Sequence, residues 1–277
     1  MRVSDTADHA TLVTPLETIV REAGALALAA IRDPIKSWYK GKGEDQPVSE
    51  VDLAVDRLLK ARLGSLLPDA GWLSEETEDD PARLGCDRLW VVDPIDGTRG
   101  FIAGKPDWTI SVALVEHDRP VLAALLAPVT DEMFLAVAGR GATRNGAPIR
   151  VAPATHEAAE ALFAGAVVAG PPRLVERFAA EASGVVPVPK VHSLALRIAR
   201  VAHGRIHVAF ASKDSHDWDL AAADLLVHEA AGTLTTVAGE TIRYNRPVPR
   251  HEALVAADPM RNRAAREIVT RLARTSR

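Results

Sequence analysis

The chain of 277 residues holds a single cysteine, Cys86, so no intrachain disulfide can form, and a reducing cytoplasmic compartment is the expected setting. No apolar run is long enough to span a bilayer, which excludes a membrane-crossing helix. At the N-terminus, Asp5, Asp8 and Glu17 precede the LALAA run, a pattern that fits an amphipathic helix better than a secretory signal. Charge of one sign is also lacking. With a formal net charge of −4 and no basic stripe, the chain is not built to attract a nucleic acid polymer. Internal repeats and low-complexity tracts are absent. Cys86 lies between Gly85 and Asp87 without the C-x-x-x-x-x-R loop that would make its thiolate a phosphate nucleophile, which leaves it an inert loop or strand-start residue. Of the histidines, His203 and His207 come nearest to metal-ligand spacing. Gly204 interrupts them, and VAHGRIHVAF reads as a helix end followed by a strand, which argues against zinc.

The residues that are present point to carboxylate chemistry on a globular scaffold. A content of 47% hydrophobic and 25% charged residues suffices for one large core or two closely packed subdomains. The stretch Leu89 to Phe101, LWVVDPIDGTRGF, carries the strongest signal. Leu89, Val91 and Val92 read as a buried strand, and Pro94 and Gly97 punctuate the segment after it, so Asp93 and Asp96 belong to one rigid turn. Mg²⁺ favours carboxylate, carbonyl and water oxygens, and such a turn can aim both carboxylates and the Ile95 carbonyl at one point. An ordinary Asp-Gly strand-end turn would look the same in isolation. The other acidic candidates also have ordinary structural alternatives. Glu75 and Glu76 in WLSEE could begin the solvated run continued by Glu78, Asp79 and Asp80. Asp219 opens a helix in which Leu220, Ala223, Val227 and Ala230 repeat until Gly232, so it could simply be a cap. Asp52 closes an S-x-x-D capping box ahead of Val55, Leu58, Leu59 and Leu66.

In order and spacing, these acidic residues and the DPIDGT turn resemble the inositol monophosphatase family of Mg²⁺-dependent, typically lithium-sensitive phosphatases. The resemblance runs from Lys42 and the PVSEVD stretch ending at Asp52, through SEE and WVVDPIDGT, over SVALVEHDRPVLAALLAPVTDEMFLAVAGRGATRNG, to DWDLAAADLLVHEAAG. It implies an αβαβα layered sandwich, where periodicity alone supports only a mixed α/β protein. It further implies that Glu75, Asp93 and the Ile95 carbonyl hold one Mg²⁺, that Asp93, Asp96 and Asp219 hold a second, and that Asp52 helps hold a third or orients the Thr98 hydroxyl. A metal-activated water, oriented by Glu75 and by Thr98 with Asp52, would attack phosphorus without a covalent phosphoenzyme. Phosphate monoester hydrolysis needs neutralised charge, an acidified water and a stabilised leaving oxygen, and such a site supplies all of these. Backbone N–H groups of Gly97 and Thr98 are expected donors to phosphate oxygens, with Gly97 also providing a positive φ.

Substrate choice rests on scattered residues. Arg99 stands where inositol monophosphatases typically continue Thr-Asn-Phe, which favours the bisphosphate nucleotidase and histidinol-phosphate phosphatase branches, although Gly100 replaces the nucleotidases' Glu. Ser193 and Arg197 in HSLALR resemble the Ser and basic residue that bisphosphate nucleotidases place around their nucleotide, and Lys213 before DWD is a further cation for a second phosphate; for Arg197 a solvated helix face and for Lys213 an exposed loop charge are the alternatives, and His216 is a substrate contact by resemblance to related enzymes, with a loop residue as its alternative. LLAPVTDEMF is closer to the nucleotidase branch. The resulting expectation is a Mg²⁺-dependent phosphoric monoester hydrolase acting on a 3′(2′),5′-bisphosphate nucleotide such as 3′-phosphoadenosine 5′-phosphate. Inositol 1-phosphate and then histidinol phosphate are the alternatives, and a catalytically idle binding or regulatory module is the reading of another class. The expected partner is a small phosphorylated metabolite, with no nucleic acid polymer and no membrane; homodimerisation is left open. The chain is expected to form two closely packed halves, 1–145 with most metal ligands and 146–277 returning Asp219 and substrate contacts, joined through 145–153 and 170–173. Helices are expected near Leu16–Ile31 and Ser49–Leu67, and a hairpin where SVALV and VLAALLA flank HDRP.

Overall fold

A computed structural model of the protein describes residues 6–32, 35–39, 47–154 and 161–275. Lys42, where the resemblance begins, lies outside these described residues. The first elements are helix α1 (Thr6–Ala30), strands β1 (Ser37–Tyr39) and β2 (Pro47–Ser49), and helix α2 (Glu50–Leu66). Next come β3 (Gly71–Ser74), a 3₁₀ turn over Pro81–Gly85, β4 (Arg88–Asp96) and the short helix α3 (Thr98–Ile102). A meander comes after them: β5 (Thr109–Glu116), β6 (Arg119–Ala127), β7 (Glu132–Val137), β8 (Gly141–Arg144) and β9 (Ala147–Pro148). The remainder alternates: β10 (Val167–Ala169), α4 (Pro172–Glu181), β11 (Val186–Pro187), α5 (Leu194–Ala202), β12 (Val208–Ala211), β13 (Ser215–His216) and α6 (Asp217–Glu229). It ends with β14 (Thr233–Thr236), β15 (Arg250–His251), β16 (Leu254–Ala257) and α7 (Pro259–Arg274).

Two sheets organise the molecule. The larger has the order β3-β4-β5-β6-β7-β8-β9, with β3 and β4 parallel and the rest antiparallel. The smaller runs β11-β10-β12-β16-β14. Strand alternation assigns residues to layers. From β4, Trp90 and Val92 pack with Leu16, Val20, Val55 and Leu59 of α1 and α2, whereas Leu89 and Val91 face Leu196, Leu220 and Ala223 of α5 and α6. In the smaller sheet, Ala209 and Ala256 point to α5 and α6, while Val208, Phe210 and Val255 meet Phe178 of α4 and Ile268 of α7. The result is the αβαβα layered sandwich. Central strands covered on both faces explain the unbroken apolar run of LWVV, and α6, enclosed by both sheets, is apolar almost all round through Ala221, Ala222 and Ala223.

Three local expectations are corrected. Helix α1 begins at Thr6, ten residues before Leu16, and carries Pro15 inside it. A proline usually marks a boundary, but buried Leu12, Leu16, Ile19 and Ala23 form a continuous apolar stripe that outweighs the lost hydrogen bond. The tract 170–173 is no mere connection, since α4 starts at Pro172, with proline at a helix entrance where its missing N–H costs nothing. At the end of α6 the left-handed residue is Ala231, with φ of 65°, and not Gly232. Gly232 is needed for space: a Cβ there would lie 2.6 Å from Val151 Cγ1 and 2.8 Å from Val227 Cγ1. The HDRP hairpin is as expected, with His117 and Asp118 both at positive φ between β5 and β6.

Candidate active site and metal centre

Strand β4 reaches the edge of the core where its ladder with β5 is interrupted between Asp93 and Asp96. The irregularity turns both carboxylates the same way, beside the first turn of α6, where Asp219 resides. One carboxylate oxygen from each of Asp93, Asp96 and Asp219 lies within 4.8 Å of the other two, the group of potential metal ligands found among the described residues. Asp219 is also a cap, accepting from His216 N at 2.6 Å, so its structural and chemical roles coincide. Glu75, just past β3 and held to β4 by Glu75 N to Val92 O at 3.3 Å, lines the same cavity.

Asp52 and Thr98 form the wall behind this cluster. Asp52 accepts from Ser49 N at 2.8 Å, completing the capping box of α2, and its other oxygen lies 3.1 Å from Thr98 Oγ1. The Thr98 hydroxyl is also 2.9 Å from the Ile95 carbonyl and can donate to one of these acceptors at a time. Between them, Gly97 adopts φ of 95° and caps α3. A Cβ at Gly97 would sit 2.9 Å from Ser193 N, so both the turn and the close approach of α5 require glycine. Gly97→Ala is therefore expected to cost about 1–3 kcal/mol in urea unfolding and to reduce turnover, since relief of strain displaces Asp96 or α5. Equal stability and activity in the variant would refute that geometry.

Like charge and burial set the electrostatics. Burial pushes the Asp93 carboxyl well above the ordinary carboxylate range, helped by Glu75, Asp96, Asp219 and Asp52. Asp96 is raised to about 7 by burial and by Asp219, against the opposing hydrogen bonds of Ser193, Ala195 and Leu194. Asp52 is raised by burial, partly offset by its donors. Such a cluster is unfavourable without a cation, and its all-oxygen donors suit Mg²⁺.

Of the residues assigned to substrate, Gly97 and Thr98 line the cavity. The other four do not. Ser193 is fully buried, donates to Asp96 Oδ2 at 2.6 Å and accepts from Leu196 N at 2.8 Å, so it anchors a metal ligand to the start of α5. Arg197 lies behind the cluster, with its guanidinium donating to the Phe210 carbonyl at 3.0 Å and its pKa lowered by burial against the pull of Asp96 and Asp219. Lys213 is an exposed loop residue 3.8 Å from Glu252. His216 stacks on Trp218, with ring centroids 4.4 Å apart.

Sequence reasoning missed three further residues that line the cavity, Pro47, Lys190 and His192. His192 is fixed by Asp107, which accepts from His192 N at 2.7 Å and lies 2.9 Å from Nδ1. It also missed Asp56, which accepts from the Ser74 and Thr77 hydroxyls and so holds the segment around Glu75 onto α2. A signal for Asp56 was its place one helical turn after Asp52; nothing local tied Asp107 to His192.

Comparison with known proteins identifies the family. The model of the inositol monophosphatase family matches residues 8–276. An inositol-1-monophosphatase of Rhizobium meliloti is 34% identical over 209 residues, covering 72% of this chain and 75% of its own. A histidinol-phosphatase of Mycobacterium tuberculosis is 35% identical over 199 residues, covering 70% and 75% respectively. Among solved structures, a Thermotoga maritima IMPase superposes with a TM-score of 0.78 at 26% identity, covering 93% of this chain and 96% of that one.

Proposed function

Because the chain belongs to the inositol monophosphatase family, we propose that it is a Mg²⁺-dependent phosphomonoesterase whose preferred substrate is a 3′(2′),5′-bisphosphate nucleotide such as 3′-phosphoadenosine 5′-phosphate. Phosphomonoester hydrolysis is the activity named for the Rhizobium meliloti and Mycobacterium tuberculosis relatives, and the clustering of Asp93, Asp96 and Asp219 supports the same chemistry here. Asp93, Asp96 and Asp219 would hold the ions, with Glu75 and the Ile95 carbonyl completing the donors. Bound there, Mg²⁺ supplies charge neutralisation and water activation.

The protein's own groups do the remaining work. Glu75 lines the same cavity as the cluster and can accept a proton from a nucleophilic water. Thr98, set by Asp52 and the Ile95 carbonyl, orients that water. The first N–H groups of α3 have no intrahelical acceptor and can donate to phosphate oxygens.

The observation that supports the bisphosphate is the cationic part of the lining: Arg99 and Lys190 line the same cavity of about 210 Å³ as the acidic trio. A second phosphate calls for such groups, whereas the neutral hydroxyls of an inositol ring do not. Arg197 and Lys213 do not line this cavity. Inositol 1-phosphate is the second reading, favoured by the Rhizobium meliloti relative at 34% identity. Phosphate release with Mg²⁺, compared by kcat/KM for 3′-phosphoadenosine 5′-phosphate, inositol 1-phosphate and histidinol phosphate, tests the choice. The bisphosphate is expected to lead by at least about tenfold, a transition-state difference of about 1.4 kcal/mol; a lead for inositol 1-phosphate would transfer the conclusion to the second reading.

A further inference from the structure

His192 lines the metal cavity without belonging to the acidic trio. Its ring is held in one place by two residues from elsewhere in the chain. Asp107, just before β5, lies 2.9 Å from Nδ1 through either carboxylate oxygen. Gly100, in α3, leaves room for the ring: a Cβ there would lie 2.8 Å from His192 Cβ and 2.9 Å from Cγ. The ring bond is not needed to join the two segments. Backbone groups already do that, with His192 N donating to the Asp107 carboxylate at 2.7 Å and Ser193 N to the Asp107 carbonyl at 3.0 Å.

Asp107 also decides which ring nitrogen carries a hydrogen. Burial opposes ionisation of Asp107, but the backbone and ring hydrogen bonds of His192 outweigh it and hold the carboxyl below its ordinary value. An ionised carboxylate only accepts, so Nδ1 is the donor. With the Cβ, Cγ and Nδ1 edge taken up by Gly100 and Asp107, the Nε2 edge is the free one. Nε2 has no hydrogen-bond partner among the described residues, and the side chain is 24% exposed. In the neutral ring this nitrogen is an acceptor. The trio in the lining is claimed by metal, and Arg99 and Lys190 only donate, so Nε2 adds a neutral acceptor of the kind that suits a hydroxyl.

We propose that His192 is a specificity-determining residue for the alcohol part of the substrate, its Nε2 accepting a hydrogen bond from a hydroxyl on a carbon next to the phosphate ester. An ester whose phosphate meets the acidic trio in a cavity of about 210 Å³ has its alcohol part against the rest of the lining, to which His192 belongs. The assignment rests on the phosphomonoesterase reading and serves either leading substrate, since a ribose 3′-phosphate and inositol 1-phosphate both carry such a hydroxyl.

The test compares kcat/KM in Mg²⁺ for glycerol 2-phosphate and isopropyl phosphate, two esters of one carbon skeleton that differ in the hydroxyls beside the ester. The parent protein is expected to prefer glycerol 2-phosphate at least about tenfold. His192→Asn, whose amide can keep the bond to Asp107, is expected to abolish that preference at an unaltered melting temperature. A purely structural loss would lower both esters together and leave their ratio as it was. No preference in the parent, or the same preference in the variant, would overturn the role of His192. If the preference is lost in the variant while inositol 1-phosphate outruns the bisphosphate, the role stands and the bisphosphate reading falls. Release from neither ester would overturn the role alone where 3′-phosphoadenosine 5′-phosphate is still cleaved, and the phosphatase reading with it where it is not.

Discussion

Asp93→Asn is expected to lower kcat/KM by at least about a thousandfold, the loss of about 4 kcal/mol of transition-state stabilisation, and at the same time to raise the melting temperature of the metal-free protein. Both effects stem from one position. Asp93 is buried with 1% exposure, and the charges of Glu75, Asp96, Asp219 and Asp52 all act on it. As a carboxylate it is the residue that two metal sites would share. Without metal its charged form is penalised by burial and by the charges of Glu75, Asp96, Asp219 and Asp52. Asparagine keeps the shape and removes the charge, so it loses the chemistry and gains stability in chelator. The two outcomes are read independently, by phosphate release in Mg²⁺ and by calorimetry in chelator. An active Asp93→Asn protein would sink the catalytic assignment, and a lower melting temperature in chelator would show that Asp93 is held by donors rather than opposed by neighbouring charge.

Much of the site was legible because its acidic residues also perform local structural tasks. The Ser49–Asp52 capping box, the Gly97 turn and the first turn of α6 that carries Asp219 are each patterns of a few residues, and each places a carboxylate or its support. Layering was legible through alternation: a strand reading LWVV has to be covered on both faces. The features that were not legible depend on pairing across the chain. Asp107 and His192 are 85 residues apart, and Lys190 reaches the cavity only because that pair and Ser193, tied to Asp96, bring the start of α5 against β4. Ser193 and Arg197 illustrate the converse. Motif similarity placed them at substrate, but the helix that carries them is pinned from its first turn by Leu194 N and Ala195 N donating to Asp96. That contact turns Ser193 inward and leaves Arg197 behind the ligands.

The same inward-facing cluster predicts that stability in chelator falls as pH rises from about 4 to above 7, and that Mg²⁺ restores it. Asp96 has its carboxyl raised from 3.8 to about 7 in the native state. Below about pH 4 native and unfolded chains both hold the proton, and the group contributes nothing. Between the two values the native state keeps a proton that the unfolded state has shed, so native stability declines with rising pH until the penalty is complete above the folded pKa, on the order of 4 kcal/mol for Asp96. Asp93, raised for related reasons, adds in the same direction. Other groups act oppositely: Asp79, lowered by Arg83, stabilises the fold above the ordinary carboxylate range. His203, lowered by burial to about 4, stabilises it above 6.5 and loses that contribution as pH falls. The diagnostic quantity is therefore the difference between melting temperatures in Mg²⁺ and in chelator, which cancels groups remote from the cluster. It should widen steadily from pH 5 to 8, with proton release on Mg²⁺ addition near pH 7. A difference that stays flat over that range would mean that the cluster is already ionised without metal, and that the hydrogen bonds of Ser193, Leu194 and Ala195 outweigh burial and like charge.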